Sequence, residues 1–251
     1  MKKTKYDRNF FERQKKDAEV SFLGIIKCLN RHLGGAEISS AIDLGCGLGY
    51  FLNTYKKVWQ GEGKKLKVHG VDGDYVQRDM LALNKDEFEA YDLKKVYRTD
   101  ATYDIAISTE CAEHLPPQRA DSFVEDLTRL SDIVLFSAAV PYQGGTEHIN
   151  EQPVTYWIKL FDKYGYEFRD IIRPDIWDDS SIATCYRQNM VIYVRRGSRA
   201  YDMIDKEADK KLIDVIHPDH WKYTRMLFQG RLGRIYMYVE RILIRMREKM
   251  K

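Results

Sequence analysis

The residues best suited to chemistry in this sequence of 251 residues are two glutamates and two histidines. Glu110, Glu113 and His114 form the pattern Glu-x-x-Glu-His, and His148 follows in a later polar stretch. Two carboxylates and an imidazole at this spacing can form half of a divalent-metal site. Without a metal, His114 or His148 can act as general base for a hydroxyl group. In a third interpretation, Glu110 only hydrogen-bonds a cofactor and Glu113 caps the following helix.

Two polar segments are candidates for the walls of a substrate cleft. Residues 144–152 (GGTEHINEQ) follow a very apolar run, and their paired glycines predict a loop that closes over a substrate. Residues 171–189 are rich in aromatic and polar side chains. This second segment either lines the cleft or only connects two strands.

A second group of candidate residues begins with glycines. Gly45, Gly47 and Gly49 occupy every second position after an apolar run that contains Asp43. Glycines let the backbone turn sharply and let a ligand approach closely. The GxGxG spacing differs from the GxGxxG dinucleotide fingerprint and from the GxxxxGK[ST] P-loop. Because no lysine follows to hold a phosphate, a nucleoside triphosphatase is not expected.

The next two apolar runs each end with a carboxylate. Asp72, followed by Gly73, is placed to accept both hydroxyls of an adenosine ribose. Asp92, followed by Leu93, is placed to bind and flank an adenine amine. Together with Asp43, these acids suit S-adenosylmethionine, which carries a cationic sulfonium and has no phosphates.

The elements that must position these residues alternate between apolar strands and amphipathic helices. This alternation predicts an α/β fold with a doubly wound, Rossmann-like sheet of parallel strands covered by helices on both faces. In such sheets ligands bind outside the carboxyl ends of the strands. Besides the strand that contains Asp43, predicted strands are residues 67–73, 88–93, 103–109, 132–141, 166–172 and 189–194, and predicted helices are residues 17–33, 117–130 and 153–164.

These motifs resemble those of class I S-adenosylmethionine-dependent methyltransferases. The matching stretches are AIDLGCGLGYFL, VDGD, YDL and YDIAISTECAEHLPP, and the resemblance covers roughly residues 20–195. It implies a seven-stranded methyltransferase domain over residues 1–200, with residues 1–35 as an N-terminal helical cap. The cofactor-binding residues that it implies are Asp43, Gly45, Gly47, Leu48, Gly49, Asp72, Gly73, Asp92, Leu93 and Glu110.

The Glu-x-x-Glu-His pattern with its later histidine resembles two groups of metal-dependent O-methyltransferases. One group acts on polyprenylated catechols, and the other on the 3′-terminal 2′-hydroxyl of small RNAs. The resemblance implies Glu110, Glu113, His114 and His148 as ligands of Mg²⁺ or Mn²⁺, with Glu113, His114 and His148 as catalytic residues. Such a metal lowers the pKa of a bound hydroxyl and orients it for attack on the methyl group.

A narrower resemblance concerns the acceptor. The stretch VPYQGGTEHINEQPVTYW and residues 171–189 are similar to methyltransferases encoded with bacterial capsule and surface-polysaccharide genes. That similarity implies O-methylation of a small, carbohydrate-derived acceptor, and nucleic acid is not expected as a partner. The alternatives are 2′-O-methylation of RNA, N-methylation of a small molecule, and a non-catalytic scaffold that only binds cofactor.

The net charge of +3 conceals an uneven distribution. Residues 222–251 carry nine basic and two acidic side chains, and residues 1–16 carry seven basic and two acidic side chains. The segment between them therefore has a net charge of −9. Residues 201–251 are therefore predicted to be a basic helical extension, with an apolar stripe along residues 229–251. This stripe packs on its own domain or a second subunit, lies on an anionic membrane surface, or docks on a polyanion.

The remaining features predict location and redox state. Without a signal peptide or an apolar run of membrane-spanning length, the chain is expected in the cytoplasm, with peripheral contact at the inner face of the membrane as one option. Cys28, Cys46, Cys111 and Cys185 show no zinc-ligand spacing. They are interpreted as small buried apolar side chains, and His32 as a structural residue.

Overall fold

The computed structural model describes residues 8–33, 36–204 and 214–222, with side chains from residue 18 onward. The chain divides into two compact units, Met1–Val215 and Ile216–Lys251, and only residues 216–222 of the second unit are described. The predicted basic helix over residues 229–251 lies outside the described residues, and the predicted boundary at residue 200 stays a prediction. Within the described residues, no helix has the length and apolar character needed to cross a membrane.

The described part of the first unit contains one sheet of seven strands in the order β3-β2-β1-β4-β5-β7-β6. This architecture confirms the predicted doubly wound α/β fold. The third and fifth strands are shorter than predicted, so that residues 91–93 and 138–141 lie in the loops beyond them. The strands are β1 (Ser40–Leu44), β2 (Lys67–Asp72), β3 (Phe88–Ala90), β4 (Ile105–Thr109), β5 (Ile133–Ser137), β6 (Tyr166–Arg169) and β7 (Val191–Arg195).

The last strand corrects the expectation of a wholly parallel sheet. β7 pairs antiparallel with both β5 and β6, whereas the other pairs are parallel. The segment between β6 and β7 explains the reversal. It lines the same cavity as the carboxyl ends of β1 and β2, so the chain stays at that edge and β7 starts there and runs back.

Helices cover both faces of the sheet. The first helix begins earlier than predicted, and the segment between β6 and β7 contains two short helices that were not predicted. The helices are α1 (Arg8–His32), α2 (Tyr50–Gly61), α3 (Ala120–Leu130), α4 (Val154–Lys163), α5 (Arg173–Ile176), α6 (Thr184–Asn189) and α7 (Arg199–Met203).

The core lies on both sides of the sheet because the central strands are apolar on both faces. In β5, Ile133 and Leu135 belong to the apolar cluster under α1 and α2, whereas Val134 and Phe136 belong to the cluster under α3 and α4. All four side chains are buried. Continuous apolar runs of this kind are typical of strands with helices on both faces.

The chain reverses direction across the sheet between β3 and β4. β1, β2 and β3 extend towards one edge, and β4 then pairs with β1 on its other side. The carboxyl ends of β1 and β4 therefore form a topological switch point, where ligands bind in open α/β sheets. The glycine-rich turn follows β1 and the Glu-x-x-Glu-His segment follows β4.

Candidate active site

A cavity of about 560 Å³ opens at this switch point. Its volume lies within the range of small-molecule and cofactor sites. Nine of the ten predicted cofactor residues line it, the exception being Gly49, and so does His114. The lining residues from this set are Asp43, Gly45, Gly47, Leu48, Asp72, Gly73, Asp92, Leu93 and Glu110.

The glycine-rich turn brings backbone rather than side chains to the cavity. Gly45 has φ +91°, and a Cβ atom there would lie 2.3 Å from Sγ of Cys111. Gly47 has φ +54°, and no atom of the described residues lies within 4 Å of the position that a Cβ would take. A side chain at the first position would therefore clash, and one at the second would project into open space.

Asp43 is a buried carboxylate beneath this turn. Its side chain is 1% exposed, and its Oδ1 atom has no hydrogen-bond partner among the described residues. Burial, and secondarily the carboxylate of Asp72, raise the pKa of Asp43 well above its ordinary value. A cationic ligand in the cavity would offset both effects, and an anionic ligand would add to them.

Asp72 is held by the backbone around it. Its Oδ2 atom accepts from the amide of Gly47 at 2.7 Å, and its Oδ1 atom accepts from the amide of Gly73 at 2.6 Å. The hydroxyl of Tyr75, a half-exposed residue, also donates to Oδ1. These bonds fix the carboxylate at the carboxyl end of β2, where it was predicted to meet a ribose.

The outer walls of the cavity come from segments far apart in the sequence. Asp92 is exposed and Leu93 buried, in the loop beyond β3. Phe22 of α1 also lines the cavity, and Tyr186 of α6 lies beside it with ring centroids 5.3 Å apart. The segment of residues 171–189 therefore lines the cavity, as one of its two predicted roles requires.

Glu110 stands at the end of β4 in a strained conformation. Its φ of 49° lies in the left-handed region, which non-glycine residues adopt at a cost of about 1–3 kcal/mol. One carboxylate oxygen accepts from the side-chain amide of Gln143 at 2.6 Å, and the other from that of Asn189 at 3.1 Å. Both oxygens of Glu110 are thus engaged by amides, although the residue lines the cavity.

Three of the four predicted metal ligands lie together. One ligand atom from each of Glu113, His114 and His148 lies within 4.8 Å of the others. The two imidazole rings are perpendicular with centroids 4.8 Å apart, and Nε2 of His148 lies 4.0 Å from Oε1 of Glu113. Glu110 is not among the three residues of this group.

The atoms that face one another in this cluster are short of hydrogen bonds. Glu113 is 0% exposed, and neither of its carboxylate oxygens accepts a hydrogen bond of ordinary geometry among the described residues, although the backbone amides of Glu113 and Ala139 lie near enough to lower its pKa in part. Nδ1 of His114 is likewise buried without a partner there. Since Glu113 makes no capping hydrogen bond, the geometry gives no support to its predicted role as a helix cap.

Electrostatics push these two groups towards their neutral forms. Burial, and then the nearby Glu110 carboxylate, raise the pKa of Glu113 well above its ordinary value. Burial, and then His148, lower the pKa of His114. A neutral imidazole keeps a lone pair for a metal or a proton, and a cation among these groups would restore the charge on Glu113.

Glu151 orients His148 and was not singled out from the sequence. Its Oε1 atom lies 3.0 Å from Nδ1 of His148 and accepts from the amide of Gly144 at 2.8 Å, and Oε2 accepts from the amide of Tyr142 at 2.8 Å. A carboxylate on Nδ1 leaves Nε2 of the imidazole to face Glu113, which is the arrangement of many metal-binding histidines. The spacing His-x-x-Glu was the available signal in the sequence.

Gln143 and Asn189 were also missed. Each is an amide with no recognisable spacing relative to Glu110, and Asn189 lies 79 residues further along the chain. Only the packing of α6 against the loop after β5 reveals that they share a partner.

A second and larger cavity, about 830 Å³, lies at the opposite edge of the sheet. It is lined by residues at the starts of β1, β4 and β5, including Ser39, Asp104 and Asp132. It contains none of the predicted site residues, and the amino ends of parallel strands are not where α/β sheets bind ligands. The smaller cavity is therefore the candidate active site.

The sequence agrees with this fold and site at the level of the family. Residues 8–171 match the family model described as methyltransferase domain. Because the match covers more than half of the chain, the chain belongs to this family of methyltransferase domains. Among curated proteins, none matches the chain.

Solved structures with a similar fold are methyltransferases of low sequence identity. An O-methyltransferase family protein from Burkholderia thailandensis matches with a TM-score of 0.52 at 14% identity, over 74% of this chain and 57% of that chain. Human N-acetylserotonin methyltransferase, solved with S-adenosylmethionine, gives 0.50 at 12%, over 74% and 55%. Magnesium protoporphyrin IX methyltransferase from Synechocystis PCC 6803, also with S-adenosylmethionine bound, gives 0.53 at 16%, over 76% and 93%. The chain spans little more than half the length of the first two proteins.

Proposed function

We propose that this protein is an S-adenosylmethionine-dependent O-methyltransferase that prepares an acceptor hydroxyl at the cluster of Glu113, His114 and His148. The observation that carries the proposal is the position of this cluster. His114 belongs both to the cluster and to the lining of the cavity that holds the predicted cofactor residues. An acceptor bound at the cluster would therefore meet a methyl group presented from the cavity.

The cofactor assignment is supported by the charges in the cavity. Asp43 is a buried carboxylate with an unpartnered oxygen, which favours the cationic methionine part of S-adenosylmethionine over any phosphate. Asp72 is rigidly held where ribose hydroxyls are recognised in such folds. Solved relatives of the same fold were crystallised with S-adenosylmethionine.

The cluster has the donor set of a divalent-metal site. Two imidazoles and a carboxylate converge with unpartnered buried atoms, and Glu151 supports His148 from behind. Glu113, His114 and His148 would hold the cation, which would lower the pKa of the acceptor hydroxyl. Of the two predicted metals, the nitrogen donors favour Mn²⁺ over Mg²⁺, because Mg²⁺ prefers oxygen ligands.

The transfer itself is an in-line displacement. The acceptor oxygen bonds to the methyl carbon while the carbon–sulfur bond breaks. The electron pair of the broken bond stays on sulfur, which becomes the neutral thioether of S-adenosylhomocysteine. The acceptor proton leaves to solvent or, in the metal-independent form of the proposal, to Nε2 of His148. Most of the acceleration is expected from positioning, since the chemistry needs only alignment of oxygen, carbon and sulfur.

The proposed acceptor is a small, carbohydrate-derived molecule. Support comes from the sequence resemblance of residues 140–157 and 171–189, and from the rim beside His148. Tyr142, 57% exposed, shares Glu151 with His148 and offers an apolar ring with a hydrogen-bonding tip. Such a surface suits a sugar ring, which also presents apolar faces and hydroxyl groups.

The proposal is tested by incubating the full chain with labelled S-adenosylmethionine and a panel of acceptors. The panel contains sugar nucleotides, polysaccharide fragments, RNA and small amines, each with Mn²⁺, with Mg²⁺ and with excess chelator. We expect label on a carbohydrate hydroxyl, loss of activity in chelator, and recovery on addition of Mn²⁺. Activity that is indifferent to chelator would rule out the metal and leave His148 as general base. Label on RNA or on an amine would replace the carbohydrate acceptor, and cofactor binding without any transfer would identify a scaffold.

A further inference from the structure

Two walls of the cofactor cavity, helix α1 and the segment between β6 and β7, meet along a seam. Helix α1 contributes Phe22 to the cavity and the segment between β6 and β7 contributes Tyr186. Further along the seam, Gly24 packs so closely on Ile182 that a Cβ atom there would lie 2.8 Å from its Cδ1. Beyond them, the seam ends where α1 meets α5.

At that end, three residues with metal-binding side chains converge. Cys28 and His32 lie one turn apart on α1, and Asp175 lies on α5. Oδ2 of Asp175 is 3.6 Å from Sγ of Cys28 and 2.8 Å from Nε2 of His32. One ligand atom of each lies within 4.8 Å of the others.

These distances are close to those of a tetrahedral zinc site. With Zn–S of about 2.3 Å and Zn–O of about 2.0 Å, the sulfur and oxygen of such a site lie about 3.5 Å apart. The measured sulfur–oxygen distance is 3.6 Å. The nitrogen–oxygen distance of 2.8 Å must open by roughly 0.5 Å, a rotamer-scale adjustment of side chains that are not fully buried.

We propose that Cys28, His32 and Asp175 form a zinc site that ties α1 to α5 and so fastens two walls of the cofactor cavity. A thiolate, an imidazole and a carboxylate are typical zinc ligands. The cysteine is buried, whereas the side chains of His32 and Asp175 are 19% and 35% exposed. Zinc can therefore enter from solvent, and water can complete its fourth position.

Two groups compete with zinc at this site. Nη2 of Arg31 donates to the same oxygen of Asp175 at 3.0 Å, but its side chain is 65% exposed and can turn into solvent. The thiol of Cys28 carries a proton, because burial raises its pKa to about 11. Zinc takes the place of that proton, which leaves to solvent as the sulfur–zinc bond forms.

Cobalt is the probe that separates this site from the catalytic cluster. The reduced, full-length protein is titrated with Co²⁺, whose bonds to thiolate give a charge-transfer absorption that ligation by imidazole and carboxylate lacks. We expect one equivalent of this absorption, displaced by Zn²⁺, and absent from Cys28→Ser and His32→Ala. It should persist in Cys185→Ser and in His69→Ala, which removes a matched histidine that pairs with Glu89 without a thiol.

Two further measurements do not depend on the folding of a cysteine variant. In the His148→Ala background, which removes a ligand of the catalytic cluster, Zn²⁺ should raise the Tm by several degrees, and Asp175→Asn should abolish this rise. Calorimetry in the same background should show one zinc site, which Asp175→Asn removes. The proposal is overturned if the thiolate absorption is absent from the wild type or survives in Cys28→Ser, or if Asp175→Asn leaves zinc binding in the His148→Ala background unchanged.

Discussion

The two sides of the switch point hold their functional side chains in different ways. On the β1–β2 side, Asp72 is fixed mainly by backbone amides of the two turns beside it, with one further hydrogen bond from the hydroxyl of Tyr75. On the β4–β5 side, Glu110 and His148 are fixed by the side chains of Gln143, Asn189 and Glu151. The first side depends on backbone that many sequences can supply, and the second depends on particular side chains brought together by the fold.

This difference matches the division of labour in the proposed reaction. A cofactor common to many enzymes can be bound by a turn and a few carboxylates, whereas an acceptor needs a surface of its own. The β4–β5 side also carries the larger electrostatic cost, because Glu113 is buried with neither oxygen partnered among the described residues. Substitutions on the two sides should therefore affect different measurements.

The largest effect is expected on the β4–β5 side. His148→Ala should reduce kcat by about a thousandfold, because the chain loses either a metal ligand or its general base. Affinity for S-adenosylmethionine in calorimetry should stay within about twofold of wild type. His69→Ala is the matched control and should leave both quantities unchanged. Unchanged turnover in His148→Ala would remove this residue from the mechanism.

On the β1–β2 side, the expected loss is in binding. Asp72→Ala removes a carboxylate that is proposed to accept the ribose hydroxyls and that also holds Gly47. Hydrogen bonds to a charged group contribute about 1.5–3 kcal/mol each, so cofactor affinity should fall by about a hundredfold or more. Asp74→Ala is the control for a general effect of negative charge near the cavity, because Asp74 lies only two residues further along. It should change cofactor affinity little. Near-normal cofactor affinity in Asp72→Ala would contradict the cofactor assignment.

A smaller effect is expected from the residue that orients His148. Glu151→Gln keeps the shape of the side chain but replaces a carboxylate that accepts from three donors. Residues that support a metal ligand typically contribute tenfold to a hundredfold to metal affinity, so Mn²⁺ affinity and kcat should each fall by at least about tenfold. Cofactor affinity should not change. Equal losses in cofactor and Mn²⁺ binding would show that Glu151 only stabilises the loop.

The sequence predicts the fold well because its signals are local. Apolar runs such as residues 133–136 and the amphipathic pattern of residues 120–130 identify elements without knowledge of their neighbours. The antiparallel direction of β7 is not local. It follows from where the two short helices of residues 173–189 lie, and these helices are too short to show a clear period.

The same distinction applies to the site. Asp43, Asp72 and the glycines follow strands directly, and parallel strands bring their carboxyl ends to one edge, so their convergence is predictable. Glu113, His114 and His148 also converge as predicted, but Glu110 turns to the amides of a loop and a helix far along the chain. Neither an amide partner nor the burial of Glu113 leaves a pattern in the sequence.

The smallest expected effect concerns the loss of stability caused by the buried carboxylate of Glu113. Because the pKa of Glu113 is raised, the folded state keeps a proton that the unfolded state has lost, so this group destabilises the fold increasingly as pH rises above about 4.3. In chelator, Glu113→Gln should therefore raise the Tm at pH 7.5 by a few degrees and have a smaller effect at pH 5. The same variant should be inactive.

Asp126→Asn is the matched control, because burial raises the pKa of Asp126 as well, but this carboxylate is paired with Arg119 and Arg98, which lower it. Neutralising it leaves the buried Arg119 without its counter-charge, and breaking such a pair costs about 3–5 kcal/mol. Its Tm should fall by on the order of 10 °C for a chain of this length. A rise in Tm for Glu113→Gln together with a fall for Asp126→Asn would show that a buried carboxylate destabilises the fold when it lacks a partner, and not simply because it is buried. A fall in Tm for Glu113→Gln would instead mean that Glu113 is a structural residue.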